Sequence, residues 1–165
     1  MTFLENVKIG YHLSLKLNAF RHLFGLKKAI EDDQNIETRA VSTLELMGIE
    51  AEKDRRAGEL SGGMQKILAI ATALAAGPKL LMLDEPTAGL NSAEKLLIIT
   101  RMKAIRDLGI TLLLVEHDMR TIMSKCDTIT VINFGEKIAE GTPEIVANDK
   151  KTVEAYLGKQ GGDLA

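Results

Sequence analysis

Two carboxylates ending an apolar strand, and a serine with two glycines opening a helix, are the residues here best suited to chemistry. The carboxylates are Asp84 and Glu85, in Leu80-Leu81-Met82-Leu83-Asp84-Glu85-Pro86. The serine and glycines stand in Leu60-Ser61-Gly62-Gly63-Met64-Gln65. In open α/β sheets ligands gather at the carboxyl ends of strands. A carboxylate placed there, such as Asp84, suits Mg²⁺, which takes hard oxygen ligands and keeps several waters. Glu85 beside it is placed to orient or deprotonate an attacking water. Ser61, Gly62 and Gly63 put a hydroxyl and bare backbone at a helix N-terminus, where unpaired N–H groups and the positive dipole end attract phosphate. Singly, an acidic pair is commonly a solvated turn and Gly-Gly a loop. In series, with Pro86 and Ala88-Gly89-Leu90-Asn91 following, those bland readings lose ground, whereas His117 in Val115-Glu116-His117-Asp118 taken alone is more commonly a surface or packing residue. His117 can donate one proton to a phosphate oxygen from either ring nitrogen. His12 and His22 read as ordinary residues of an amphipathic stretch, and Cys126 as a small core residue.

The elements that must position these groups are legible from periodicity. Up to about Leu60 the chain reads as helices and loops. Leu13, Leu15, Leu17, Phe20, Leu23, Phe24 and Leu26 crowd early, and Ile36, Val41, Leu44 and Met47 form a second run that Gly48 stops. After Ser61 helices alternate with apolar strands, the pattern of a parallel α/β sheet. Ser61 is a good N-cap, and Met64, Ile67, Leu68, Ala71 and Leu74 line one helical face before Gly77-Pro78. Residues 79–83 predict a strand apolar on both faces, as expected when helices cover both sides. Asn91 and Glu94 form a capping-box pattern for the next helix. Residues 110–115 and 127–133 predict two more strands, Asp118 caps a short helix between them, and Thr142-Pro143 opens the closing helices. Weakest order is expected from Gly158 to Ala165.

The signature-like string, the strand with Asp84 and Glu85, the Ala-Gly-Leu-Asn turn and His117 closely resemble the signature motif, Walker B strand, D-loop and switch histidine of ATP-binding-cassette ATPases. The resemblance implies an α/β fold: part of a P-loop NTPase core, with a parallel sheet and flanking helices, plus an α-helical subdomain. It divides the chain into a helical portion (1–60), the C-terminal part of the ATPase core (61–139), and closing helices with a flexible tail (140–165). It implies ATP and Mg²⁺ as ligands. Ser61, Gly62, Gly63 and Gln65 would face nucleotide held by a second ATP-binding subunit, in a homo- or heterodimer. Asp84 would be the Mg²⁺ carboxylate, Glu85 the general base, Asn91 part of the loop crossing the interface, and His117 the switch. Gly135-Glu136-Lys137-Ile138-Ala139-Glu140-Gly141-Thr142-Pro143 and Val153-Glu154-Ala155-Tyr156-Leu157-Gly158 are similar to the branched-chain amino-acid importer branch. That branch implies transmembrane permease subunits as partners and a cytoplasmic, peripheral place at the inner membrane face. Lys66 and Thr72 depart from the family's pattern, standing where arginines are usual.

Composition bounds the alternatives. The 165 residues carry a formal charge of −2 with both signs interspersed, so there is no basic footprint for nucleic acid. One cysteine and no long apolar run fit a reducing compartment. No segment reads G-x-x-x-x-G-K-[ST], the loop that cradles ATP phosphates. The chain is therefore expected to be the second half of a nucleotide-binding subunit, inactive alone, with exposed apolar sheet edges and a tendency to aggregate. A second reading is the C-terminal lobe of a chromosome-maintenance or DNA-repair ATPase, which calls for heptads that the first sixty residues lack. A third is a non-catalytic module that docks on a complete ATPase, with the basic, leucine-rich stretch 19–30 near a membrane partner or simply covering the core.

Overall fold

A computed structural model describes residues 1–15 and 26–157. The expectations resting on Leu17, Phe20, Leu23, Phe24 and His22, on most of the stretch 19–30 and on the tail from Gly158 lie outside the described residues. The described chain forms two compact units, Met1–Val115 and one that begins at Glu116.

The first unit is built on three helices, α1 (Phe3–Leu15), α2 (Leu26–Met47) and α3 (Gly62–Ala75). Thr2 and Glu5 start α1 with reciprocal bonds, Thr2 N to Glu5 Oε2 at 2.8 Å and Glu5 N to Thr2 Oγ1 at 3.2 Å, the geometry of a capping box. Phe3, Val7 and Tyr11, spaced by four, make its buried stripe. On α2 the buried stripe is Ile36, Ala40, Leu44 and Met47; Ala40, not Val41, takes the inner position. Tyr11 Oη lies 2.7 Å from Thr43 Oγ1 and donates to the Arg39 carbonyl at 3.1 Å, joining α1 to α2. The Arg39 guanidinium sits 4.4 Å over the Tyr11 ring. As the sequence predicts, Gly48 (φ 69°) stops α2, and Ile49 N–H closes back on the Leu44 carbonyl at 3.0 Å.

α1 lies close against α3 because Gly10 has no side chain. A Cβ there would run into the Thr72 carbonyl oxygen and stand 2.8 Å from Ala75 Cβ. This contact also suits the small Thr72, whose hydroxyl bonds back to the Leu68 carbonyl at 2.9 Å.

After α3 come β1 (Leu80–Asp84), α4 (Ser92–Asp107) and β2 (Thr111–Val115). The strands pair in parallel, Leu80 with Thr111 through Asp84 with Val115, the arrangement that a helical crossover gives. Leu81 and Leu83 point into the core shared with Leu74, Ile98, Met102 and Ile105. The other face departs from the expectation of double coverage. Leu80, Met82, Leu113 and Val115 are exposed, Met82 by 66%, because the described helices of this unit pack on one side of the two-stranded sheet. The apolar liability is thus a face, not only an edge.

The second unit holds α5 (Met119–Lys125), β3 (Ile129–Asn133), β4 (Glu136–Gly141), α6 (Pro143–Ala147) and α7 (Lys150–Thr152), which runs into a π-wound turn, Val153–Leu157. β3 appears as predicted, but it does not extend a parallel sheet. It pairs antiparallel with β4 across the tight Phe134-Gly135 turn, whose residues both have positive φ. The sequence carries no strand signal for β4, since Glu136, Lys137 and Glu140 break its alternation; these three are exposed and the other three half-buried. Thr142 has N-cap backbone angles before Pro143, but its side chain makes no capping bond. Among the described residues no helix is long and apolar enough to cross a membrane.

Gly10→Ala, which in an open helix would stabilise by about 1 kcal/mol, is expected here to destabilise by about 1–3 kcal/mol through overpacking, read as a lower urea midpoint. Met82→Lys should lower light scattering at high protein concentration without lowering that midpoint.

Candidate functional site

The first unit gathers most of the residues singled out for chemistry around the start of α3. Ser61 is the N-cap (φ −58°, ψ 153°), and its oxygen accepts from Met64 N at 3.4 Å. The same hydroxyl donates to Glu94 Oε1 at 2.9 Å, across 33 residues of sequence. The other Glu94 oxygen accepts from Asn91 N at 3.2 Å, while Asn91 Oδ1 accepts from Ala93 N and Glu94 N, each at 3.0 Å. The capping box predicted for α4 is therefore complete, and its carboxylate also reaches the cap of α3. Gly63 is buried beneath it: a Cβ at this position would collide with the Glu94 carboxylate. The negative charge that faces the first turn of α3 is thus an internal one, favoured by the helix dipole. Gly62 is exposed with open space around its Cα. Gln65 Nε2 donates to the Leu60 carbonyl at 3.1 Å. Gln65 also lines a groove of about 560 Å³ with Asn6, Ala57, Leu68, Thr72 and Ala76.

The carboxylate turn follows β1. Asp84 is exposed and shares the open strand face with Leu80 and Met82. Glu85 is also exposed and adopts φ 43°, a left-handed conformation costing a non-glycine residue about 1–2 kcal/mol. It persists because the backbone is held on both sides. Glu85 N donates to the Val115 carbonyl at 2.8 Å, and the Glu85 carbonyl accepts from Ala88 N at 3.1 Å. Pro86 and Thr87 are buried next to it. From α3, Lys66 Nζ donates to the carbonyls of Glu85 at 3.1 Å and Ala88 at 2.6 Å.

His117 belongs to the second unit, exposed in the segment between β2 and α5. Asp118 immediately precedes that helix, its Oδ2 accepting from Thr121 Oγ1 at 3.1 Å. Cys126 is half-buried, not the core residue that the sequence suggests; partial burial, and then the charge of Asp127, push its thiol above its ordinary pKa, so it stays protonated and weakly nucleophilic at neutral pH.

Among the described residues no three His, Cys, Asp or Glu side chains converge as a metal cage. A Mg²⁺ ion that completes its shell with water and substrate phosphates needs only one or two carboxylates, and the exposed Asp84 offers such a ligand. Two connections were not legible in sequence. Nothing in the Asn91-x-x-Glu94 pattern signals that Glu94 also meets Ser61. Nothing marks Lys66, one of 21 Lys and Arg residues, as the one that meets the carboxylate turn.

Residues 2–88 match the ABC transporter family, and residues 136–161 match the branched-chain amino acid ATP-binding cassette transporter family. The chain is 36% identical over 160 residues to the high-affinity branched-chain amino acid transport ATP-binding protein LivG of Escherichia coli K12, covering 96% of this chain and 63% of that protein. It is 37% identical over 163 residues, with the same coverage, to BraF of Pseudomonas aeruginosa, which bears the same description. The crystal structure of the ADP conformation of MJ1267, an ATP-binding cassette of an ABC transporter, superposes with a TM-score of 0.72 at 30% identity, covering 96% of this chain and 63% of that one. The chain thus spans under two thirds of the length of the relatives it matches.

Glu94→Ala should cost about 1 kcal/mol through loss of the α4 capping interaction, and amide exchange should quicken at the first turns of both α3 and α4. Exchange confined to α4 would contradict the shared carboxylate.

Proposed function

The chain belongs to the ABC transporter family, and from that membership we propose that it is part of an ATP-binding, ATP-hydrolysing subunit that energises import of branched-chain amino acids. The observation that carries this reading is the conjunction of two family matches, one over the signature and carboxylate strand and one over the C-terminal residues 136–161. No observation favours a chromosome-maintenance or DNA-repair lobe. In this scheme residues 1–60 supply the helical portion, 61–139 the nucleotide-facing core and 140–165 the closing segment.

The candidate residues take the following roles in this scheme. Ser61, Gly62 and Gly63 lie at the start of a 14-residue helix, where backbone N–H groups and the dipole favour phosphate. They face the nucleotide held by a second ATP-binding subunit, and the Ser61 hydroxyl then exchanges the Glu94 carboxylate for a phosphate oxygen. Gln65 closes the signature, and Asn91 is part of the loop that crosses to that subunit. Asp84 would hold Mg²⁺, which neutralises charge on the phosphates. Glu85 takes a proton from the attacking water as general base, and His117 hydrogen-bonds the γ-phosphate. Permease subunits would hold the assembly at the cytoplasmic face of the membrane.

In a hydrolysing complex that contains this chain, Glu85→Gln is expected to lower ATP turnover by about 10²-fold or more, the scale of general-base catalysis, while ATP-dependent pairing of subunits persists. Turnover at the unsubstituted rate would remove Glu85 from the role of base.

A further inference from the structure

Lys66 has no part in the scheme above, yet it is the one charged residue of α3 and it joins that helix to the carboxylate turn. We infer that Lys66 is a positioning residue for Glu85: its ammonium group, shared between the Glu85 and Ala88 carbonyls, holds the Glu85 backbone in the left-handed conformation from which its carboxylate projects. The inference rests on the reading of Glu85 as the general base.

The argument begins with the conformation. At φ 43° Glu85 occupies a region that side-chain-bearing residues keep only when neighbouring groups over-determine it. Its N–H is fixed by the Val115 carbonyl at the end of β2. Its carbonyl is fixed by Ala88 N and by Lys66 Nζ. The N–H tie runs to β2 and the Ala88 N–H tie lies within the turn, whereas the Lys66 tie comes from the helix that carries Ser61. The contact to Ala88, at 2.6 Å, is the shorter of the two, and charge-assisted bonds of this kind are stronger than neutral ones. A lysine covering a helix end or a solvated face meets scattered acceptors; this one meets the first and fourth residues of a single turn. Small displacements of a reacting group are costly in rate, which gives the placement of Glu85 a catalytic consequence.

The isotopically labelled chain tests the clamp directly. In Lys66→Met the carbonyl resonances of Glu85 and Ala88 are expected to shift and the Glu85 Cα resonance to leave its left-handed range, with the rest of α3 and β1 unperturbed. Lys66→Arg, which keeps a donor, restores them. Unchanged Glu85 and Ala88 resonances in Lys66→Met overturn the proposal. Should Lys66→Met not fold, the unsubstituted chain decides. A through-hydrogen-bond correlation from the Lys66 ammonium to the Ala88 carbonyl supports the clamp, and a freely exchanging ammonium without one overturns it. In a hydrolysing complex Lys66→Met is expected to lower kcat about tenfold to hundredfold, leaving KM for ATP unchanged, and Lys66→Arg to recover most of the loss. A raised KM with kcat intact overturns positioning. If Glu85→Gln leaves turnover intact, the base assignment fails, while the resonance test reports on the clamp separately.

Discussion

The start of α3 is held by side-chain bonds to two segments far away in sequence, and the layout of the candidate site follows from those ties. A helix N-terminus leaves backbone donors unpaired and carries a partial positive charge. Ser61 satisfies one donor and donates its own hydroxyl to Glu94, which simultaneously completes the cap of α4. One carboxylate thereby serves two helix starts, which is possible only because Gly63 leaves room for it. One turn further along α3, Lys66 reaches the turn after β1. Signature, carboxylate turn and α4 cap are therefore linked through one rigid element.

Those polar ties are largely solvent-facing, so individually they contribute little to stability. The accuracy of their placement comes from the apolar packing behind them. Ile67, Leu68, Ile70, Ala71, Leu74 and Ala75 seat α3 in the core, and Gly10 lets α1 approach its far side to backbone contact. Tyr11, Thr43 and Arg39 then lock α1 to α2 through a buried hydroxyl pair and a stacked guanidinium. A helix fixed in this way presents Ser61 and Lys66 at constant separation, as a candidate site needs.

The sheet shows the converse. Parallel pairing of β1 and β2 brings Asp84 and Glu85 to a carboxyl end, with Glu85 bonded to Val115. Yet among the described residues helices cover only one side, so Leu80, Met82, Leu113 and Val115 remain open to solvent. These strands read as buried on both sides because their residues are apolar throughout, and composition alone does not say how many faces are covered. The second unit carries a similar lesson, since β3 has a strand's pattern but its partner β4, half charged, is defined by hairpin pairing more than by its own residues.

What the sequence by itself determined are the features that depend on local chemistry. These include the helix caps at Ser61 and Asn91, the stop at Gly48, the strands ending near Asp84 and Val115, and the residue types able to meet phosphate and Mg²⁺. Such features are legible because a cap, a turn or an amphipathic stripe is decided within a few residues. Tertiary structure alone decided that Glu94 answers to Ser61, that Lys66 holds the turn of Glu85, that Gly10 marks a helix contact, and that one sheet face stays bare. Each of these joins segments whose separation along the chain carries no periodic signal. Their partners are chosen by packing, where a long side chain finds whichever acceptor the fold brings within reach.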